Sequence, residues 1–311
     1  MSRGARTPRR VSPRRALRTL LTIAVLSLLS LAAEWLLSRQ PDIPALSAPE
    51  NSIFSLHILD VGQGSSALLR TADAAVLIDG GERDQGAAVT AYLKAQGIDS
   101  LDLVVATHLH TDHIGGLIEV LDRVPVDALW IADTPDALLP TNSTYEAFVD
   151  AAEQSGAILE FPAEARTLPL GEKVTLSLLG PFLRDPKGLN DTSLCVRIDA
   201  GAVSFLLTGD GELAVEDALR EGGAPIDADV LVAGHHGSNT SSKSYFLRAV
   251  TPRAVAISAG AGNDYGLPSP KALERLSVYG PICRTDLNGS LLFSTDGERI
   301  SIAAENLELV I

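Results

Sequence analysis

Cysteine is almost missing from this chain of 311 residues: Cys195 and Cys283 are the only two, far apart and each inside an apolar, strand-like run. Their spacing fits no zinc finger. An exported location would permit a disulfide between them, and two buried free thiols account for the pair equally well. Charge is also sparse, at 21% of residues against 46% hydrophobic, which excludes a disordered or low-complexity protein and leaves ample material for a large core. The length suits one large domain or two small ones. Internal repeats are absent at the level of residues. Basic residues are the scarcer charge, 25 Lys and Arg against 39 Asp and Glu, and the net charge of -14 argues against gripping a polyanion.

That shortage of positive charge is uneven. The first 50 residues carry eight Arg, no Lys and three acids, so 17 of the 25 bases and 36 of the 39 acids remain for residues 51–311, a net of -19. A basic head, residues 1–18, precedes an uncharged stretch of 15 residues, Thr19 to Ala33, followed by Glu34 and Trp35-Leu36-Leu37. A spanning helix needs about 20 residues. An Arg block before a shorter apolar run matches a secretory signal peptide, with Ser30 and Ala32 as small residues for cleavage. Leu36 and Leu37 lengthen the run and Trp35 suits an interface, so residues 19–37 read first as a signal anchor, with the cleaved peptide as the alternative. Both readings leave the Arg cluster in the cytoplasm. The anchor gives a protein of the cytoplasmic membrane with an extracytoplasmic C-terminal domain, and cleavage gives a secreted one. Residues 38–50, rich in Pro, read as a linker, and 51–311 as the body.

In the body, β-branched runs predict strands at 53–60, 75–79, 101–106, 127–131, 174–179, 194–199, 203–207, 229–233, 254–258 and 290–294. Helical patterns lie at 85–96, 116–123, 145–154, 212–221, 242–249 and 270–279. Strands with helices in both halves predict an α/β body of two sheets packed face to face with helices outside, four layers in all.

Metal-ligating side chains gather where strands end. Thr107-His108-Leu109-His110-Thr111-Asp112-His113-Ile114-Gly115-Gly116 follows an apolar strand and holds three of the chain's six His. Imidazole and carboxylate suit zinc, manganese or iron. In a loop, His108 and His110 face one side, while Asp112 and His113 at the start of the next helix face a neighbouring position, so two ions could share the segment. Asp210 closes the run Phe205 to Gly209, and His235-His236 close the run Leu231 to Gly234. Asp79 ends another strand, where it could accept an imidazole N–H and hold the ring of a metal ligand.

These motifs, with Leu59-Asp60-Val61-Gly62-Gln63-Gly64, Asn190-Asp191-Thr192-Ser193, His235-His236-Gly237-Ser238, Asn263-Asp264-Tyr265-Gly266 and Thr285-Asp286-Leu287-Asn288-Gly289, resemble the metallo-β-lactamase superfamily. Within it, they are similar to the extracytoplasmic hydrolase domain of ComEC-type DNA-uptake proteins and their stand-alone relatives. The resemblance covers about residues 53–297 and implies a four-layer αββα sandwich holding two divalent ions, zinc foremost and manganese as the alternative. It implies one ion on His108 and His110, the other on Asp112, His113 and His235, and Asp210 bridging both. Asp112, Asp210 and His236 become the catalytic candidates. Asn190, Ser193, Ser238, Asn239, Asn263 and Tyr265 become substrate-side or supporting residues, with Gln63 and Asp79 behind the ligands.

Three departures stand out from that pattern. No His lies between His113 and His235, so the first ion lacks its usual third His and Asn190 to Ser193 occupy that place in the order. Ser65 replaces an expected Asp, and Leu267 stands where a His would be. The implied reaction is attack by a hydroxide bridging the ions on a phosphodiester, whether nucleic acid, small molecule or envelope component. Hydrolysis of a carboxylic ester, thioester or lactam is the alternative, as is a catalytically weakened metal- or partner-binding domain. Only Lys243 and Arg284 offer positive charge near the motifs, so the acidic body counts against DNA as the substrate. A single apolar segment excludes a complete ComEC channel.

Overall fold

Runs such as Leu101–Ala106 alternate their side chains between two faces, and here both faces are buried: Leu103 and Val105 enter one core, Val104 and Ala106 another. A strand apolar on both sides needs a covering layer on each. The computed structural model describes residues 44–180, 183–304 and 307–311, together with seven helical residues between 22 and 30. The expected head, 1–18, and most of the expected apolar segment, 19–37, lie outside the described residues. Among the described residues no helix is long and apolar enough to cross a membrane. The chain divides into two compact units, Met1–Pro41 and Asp42–Ile311. Every strand among the described residues belongs to the second unit.

One sheet has the order β16 (Leu307–Val310), β15 (Ile300–Ala304), β14 (Leu291–Thr295), β1 (Phe54–Ile58), β2 (Ala67–Arg70), β3 (Ala75–Ile78), β4 (Leu101–Ala106), β5 (Val126–Ile131), β6 (Ile158–Glu160). The other has the order β13 (Ile282–Arg284), β12 (Ala254–Ile257), β11 (Val230–Val232), β10 (Val203–Leu207), β9 (Cys195–Ala200), β8 (Val174–Gly180), β7 (Arg166–Gly171). Each sheet is parallel in one half, from β3 to β6 and from β10 to β13, and antiparallel in the rest. Parallel neighbours require crossovers, and helices supply them on the outer faces.

Helices α1 (Gly86–Ala95), α2 (Thr111–Ile114), α3 (Leu117–Arg123) and α4 (Ser143–Gln154) accompany the first sheet. There Val89, Leu93, Val120 and Phe148 pack on Leu77, Val104 and Leu129. Helices α5 (Leu213–Glu221), α6 (Ser244–Val250) and α7 (Pro270–Leu276) cover the second, placing Val215, Leu219, Phe246, Leu247 and Leu276 on Leu206, Leu231 and Val255. Between the sheets lie Leu56, Leu69, Val105 and Phe293 against Leu176, Ile198 and Phe205. The rings of Phe54 and Phe205 meet across this interface at 4.9 Å. Three apolar layers thus separate four layers of secondary structure, the α/β arrangement expected, and each fully buried Leu or Phe contributes about 1.5–3 kcal/mol.

The strand pattern misses β2, β6, β7, β13, β15 and β16. Several are only three or four residues long, too short for periodicity to register. β7 carries Pro169 within it, tolerated because β7 is the sheet's edge and a bulge falls between Pro169 and Gly171. Within the expected linker, 38–50, residues 38–43 lie outside the described residues, and Leu46 O accepts a bond from Gln96 Nε2 of the body at 3.0 Å.

Cys195 and Cys283 are both free and fully buried. Burial raises both thiols, Cys283 up to about 11, which holds them as unreactive thiols. Ellman's reagent at pH 8 is expected to label neither in the native protein and both after unfolding; rapid labelling of the folded chain would contradict this burial.

Candidate metal centre

β4 delivers Thr107 and His108 to the end of its sheet, and the chain then turns at His110 into α2. That turn is held from beneath by Asp79, at the end of β3, whose backbone is left-handed at φ 58°. Asp79 Oδ1 accepts the Thr107 N–H at 2.8 Å, while Oδ2 accepts the Thr107 hydroxyl at 2.7 Å and faces His113 Nδ1 at 2.7 Å. With Nδ1–H donated to a carboxylate, His113 keeps Nε2 bare as a ligand atom. The loops are laced by backbone bonds: Gly80 N–H to His113 O at 2.7 Å, Gly116 N–H to Gly81 O at 2.9 Å, Ser65 N–H to Asp112 O at 3.0 Å. Two glycines permit this closeness. A Cβ on Gly116 would lie 1.9 Å from Gly80 O, and one on Gly64 2.5 Å from Asp112 O. Ser65 therefore serves through its backbone.

From the second sheet, β10 ends at Asp210, and β11 leads into a turn in which His235, His236 and Gly237 are all left-handed, with φ of 51°, 53° and 75°. Two consecutive non-glycine residues in this region cost about 1–2 kcal/mol each. The turn aims both rings inward. His236 Nδ1 donates to Ser258 O at 3.0 Å, and its Nε2 lies 3.2 Å from Asp112 Oδ2 and 3.5 Å from Asp210 Oδ2. His113 Nε2 lies 3.3 Å from Asp210 Oδ1, and His108 Nε2 3.8 Å from Oδ2.

Two groups result, each with ligand atoms within 4.8 Å of one another: His108, His110 and Asp210, and Asp112, His113 and His236. The Nε2 atoms of His113 and His236 are buried and accept or donate no hydrogen bond. Two buried imidazole nitrogens without a hydrogen-bond partner, aimed at buried carboxylates, are a donor set for a divalent cation of the zinc type, and His108, His110 and Asp210 offer a second set beside them, so the residues fit the expected ions. The resemblance implies His235 as a ligand of the second ion. The geometry puts His236 there instead, and turns His235 towards Glu212, with 2.9 Å between Nδ1 and Oε1.

Electrostatics favour ionised carboxylates. Burial works against charge at Asp112 and Asp210, yet the adjoining His236 and His113 hold both carboxyls below the usual range. Burial likewise opposes charge on the two rings, but Asp210, with Asp79 or Asp112, raises His113 well above its ordinary value and His236 to about 10. Burial lowers His108 and His110, leaving them neutral, the form in which imidazole binds a metal.

The centre floors an open cleft of about 490 Å³ bordered by Gln63, Glu82, Thr111, Asn142, Leu189, Tyr265 and Leu267. Of the expected supporting residues, Gln63 lines it and accepts the Gly260 N–H at 3.2 Å, and Tyr265 stands 75% exposed at its rim. Asn263 is a loop brace: its Nδ2 donates to Gly260 O and Leu267 O, and its Oδ1 accepts from Tyr265 and Leu267 N–H. Asn190 donates to Glu212 at 3.3 Å, and its buried Oδ1 and Ser193 Oγ have no protein partner. Ser238 bonds Thr240 at 2.8 Å, while Asn239 is held by Arg275. Lys243 donates to Asn239 O, and Arg284 pairs with Asp286. Sequence patterns miss Glu82 and Glu212; the latter follows Asp210 by two residues and reads as the opening of a helix.

A four-layer α/β sandwich with this ligand order defines a class, and the chain belongs to it: the metallo-beta-lactamase superfamily, whose family model matches residues 59–260. It is 32% identical over 250 residues to the competence protein ComA of Neisseria gonorrhoeae, covering 79% of this chain and 33% of that protein. It is also 32% identical over 203 residues to ComE operon protein 3 of Bacillus subtilis, covering 65% of this chain and 26% of that one. The chain therefore spans a third or less of the length of these curated relatives. Among solved structures, the CmlA beta-hydroxylase E377D mutant shares the fold at TM-score 0.51 and 14% identity over 80% of this chain and 55% of that one. The metallo-beta-lactamase fold protein YhfI of Bacillus subtilis does so at TM-score 0.50 and 14% identity, over 78% of this chain and all of that one.

Gly116→Ala is expected to push the α3 start away from Gly80, lowering the thermal midpoint and the bound-metal content together; a stable variant with full metal content would contradict the close approach. The loop carrying His236 has its own brace. Buried Glu216 on α5 accepts the N–H groups of Ser242 and, at 3.1 Å, Lys243. Burial raises its carboxyl from 4.5 to about 7, against those two bonds. A folded value above the unfolded one favours folding fully below about pH 4.5, and that contribution, about 3 kcal/mol, is lost as pH rises through 7. The stability of Glu216→Gln should fall less than that of the wild type between pH 5 and 8 in denaturant titrations; parallel curves would refute it.

Proposed function

We propose that the chain is a metal-dependent phosphodiesterase whose body works outside the cytoplasmic membrane, with zinc as the first-choice cation. The observation that carries this is Asp210, a buried carboxylate grouped with His108 and His110 and facing a second ligand group, Asp112, His113 and His236. When bound there, two divalent ions would supply Lewis acidity and an activated water, the chemistry suited to an in-line phosphoryl displacement. The residues themselves hold the site in shape: Asp79 orients His113, Ser258 orients His236, and the two sheets hold Asp112 and Asp210 at fixed separation.

Without cations the cleft would repel a phosphodiester, since Glu82, Asp112 and Asp210 all border it. Substrate affinity then rests on the ions, and chelation should abolish turnover rather than reduce it. The likeness to the competence protein ComA, together with the resemblance of the motifs to DNA-uptake proteins, supports a nucleic-acid substrate. Against a long strand stands the charge: the cationic groups of Lys243 and Arg284 are already engaged, and residues 51–311 net -19. That balance lacks the basic track on which counterion release depends and favours a small phosphodiester or a short single strand. The Arg-rich head before an apolar run supports delivery of the body across the membrane.

Purified full-length protein should hydrolyse bis-p-nitrophenyl phosphate, with Asp112→Ala and His108→Ala each lowering kcat/KM by at least ~100-fold. Single-stranded DNA and nitrocefin run in parallel discriminate the substrate class. Metal-replete protein inert on the phosphodiesters but active on nitrocefin would overturn the assignment in favour of carbonyl chemistry.

A further inference from the structure

Four imidazoles, not three, point Nε2 at the carboxylate of Asp210. His113 reaches Oδ1, while His108, His236 and His235 stand 3.8, 3.5 and 3.9 Å from Oδ2. His235 and His236 are neighbours in one left-handed turn, but they diverge: the ring centroids are 6.1 Å apart and the planes are steeply inclined, at 64°. His236 belongs with Asp112 and His113. His235 Nε2 approaches the same Asp210 oxygen as His108 Nε2, and its ring is near enough to His110 to act on it electrostatically; these are the two histidines whose site the sequence leaves one short.

We propose that His235 is the missing third histidine of the first metal position, so that one turn supplies one ligand to each ion. Each position then has three side chains of its own, His108, His110 and His235 in one and Asp112, His113 and His236 in the other, with Asp210 between them. This reading rests on the metal centre described above. Its support lies in what holds His235. Its Nδ1 hydrogen-bonds Thr240 Oγ1 at 3.2 Å, and that hydroxyl in turn donates to Glu212 Oε1, which lies 2.9 Å from the same Nδ1; the ring N–H is therefore held on Nδ1 and Nε2 faces Asp210. A carboxylate thus stands behind the imidazole and orients it through Thr240, where Asp79 orients His113 by a direct bond. Glu212 is itself fixed, because the same Oε1 accepts the Thr240 hydroxyl at 2.9 Å and Asn190 Nδ2 at 3.3 Å. The Asn190 segment, which stands in the chain where the family's third histidine would be, thus acts as a prop for Glu212, and through it for a ligand that arrives from elsewhere. Glu212 is accordingly a positioning residue.

The test is metal uptake, not turnover. Full-length protein stripped with chelator and titrated with cobalt(II) should take up two equivalents, with visible spectra distinguishing the positions. His108→Ala and His113→Ala define the spectra of protein that keeps only the second and only the first position. His235→Ala is expected to retain one tight equivalent with the spectrum left by His108→Ala, and Glu212→Ala to weaken uptake at that same position by at least ~10-fold while keeping the other. Circular dichroism checks that each variant is folded, and if His235→Ala does not fold, Glu212→Ala decides alone. Two tight equivalents in the variants, or a residual spectrum matching His113→Ala, would overturn the assignment of His235. A wild type that takes up no cobalt would overturn the metal centre itself, a distinguishable failure.

Discussion

Burying a carboxylate at the meeting of two sheets is unfavourable by several kcal/mol unless positive charge or hydrogen-bond donors surround it. Asp210 is such a group, and much of the molecule answers to it. His113 reaches it from the first sheet, His236 from the second, and the two raise their own affinity for protons in doing so. A divalent ion on each side satisfies the same demand more strongly, since the ions compete with those protons for the same nitrogens. The sandwich can close over this point because cationic character is brought to it from both halves.

The scaffold serves that convergence in a simple way. Parallel strands release their C-terminal ends on the same side, so β3, β4, β10 and β11 all end near one place with loops free to carry ligands. The antiparallel halves of the sheets complete the inter-sheet core, and the loop between β1 and β2 reaches the site with Gln63, Gly64 and Ser65. Close backbone contacts between the loops, at Gly64 and Gly116, convert them from flexible connections into a rigid floor. The Asp79 carboxylate does similar work with three hydrogen bonds, tying the end of one strand to the ligands that follow the next.

Much of this is legible in the residues alone. The His-rich segment from His108 to His113 and strand-ending Asp79 and Asp210 announce their places through residue type and position, and long apolar runs place ten strands. Short strands such as β6 and β13 give no periodic signal and are stabilised by pairing with neighbours instead. The assignment of His235 and His236 is beyond reach for a different reason: adjacent identical residues diverge by an angle that depends on two left-handed torsions, which a sequence does not display. Asn263 likewise reads as a substrate contact, and its four hydrogen bonds show it holding its own loop together.

Chemistry is the part that belongs to the primary structure: the inventory of imidazoles and carboxylates, their order along the chain, the four-layer alternation, and an acidic body behind a basic head. These follow from composition and local periodicity, which need no partner to be read. The relations among those groups belong to the folded chain. Which histidine faces which oxygen of Asp210, and that Glu212 stands behind His235, depend on side chains more than twenty positions apart meeting, and such meetings are set by tertiary packing rather than by any local rule.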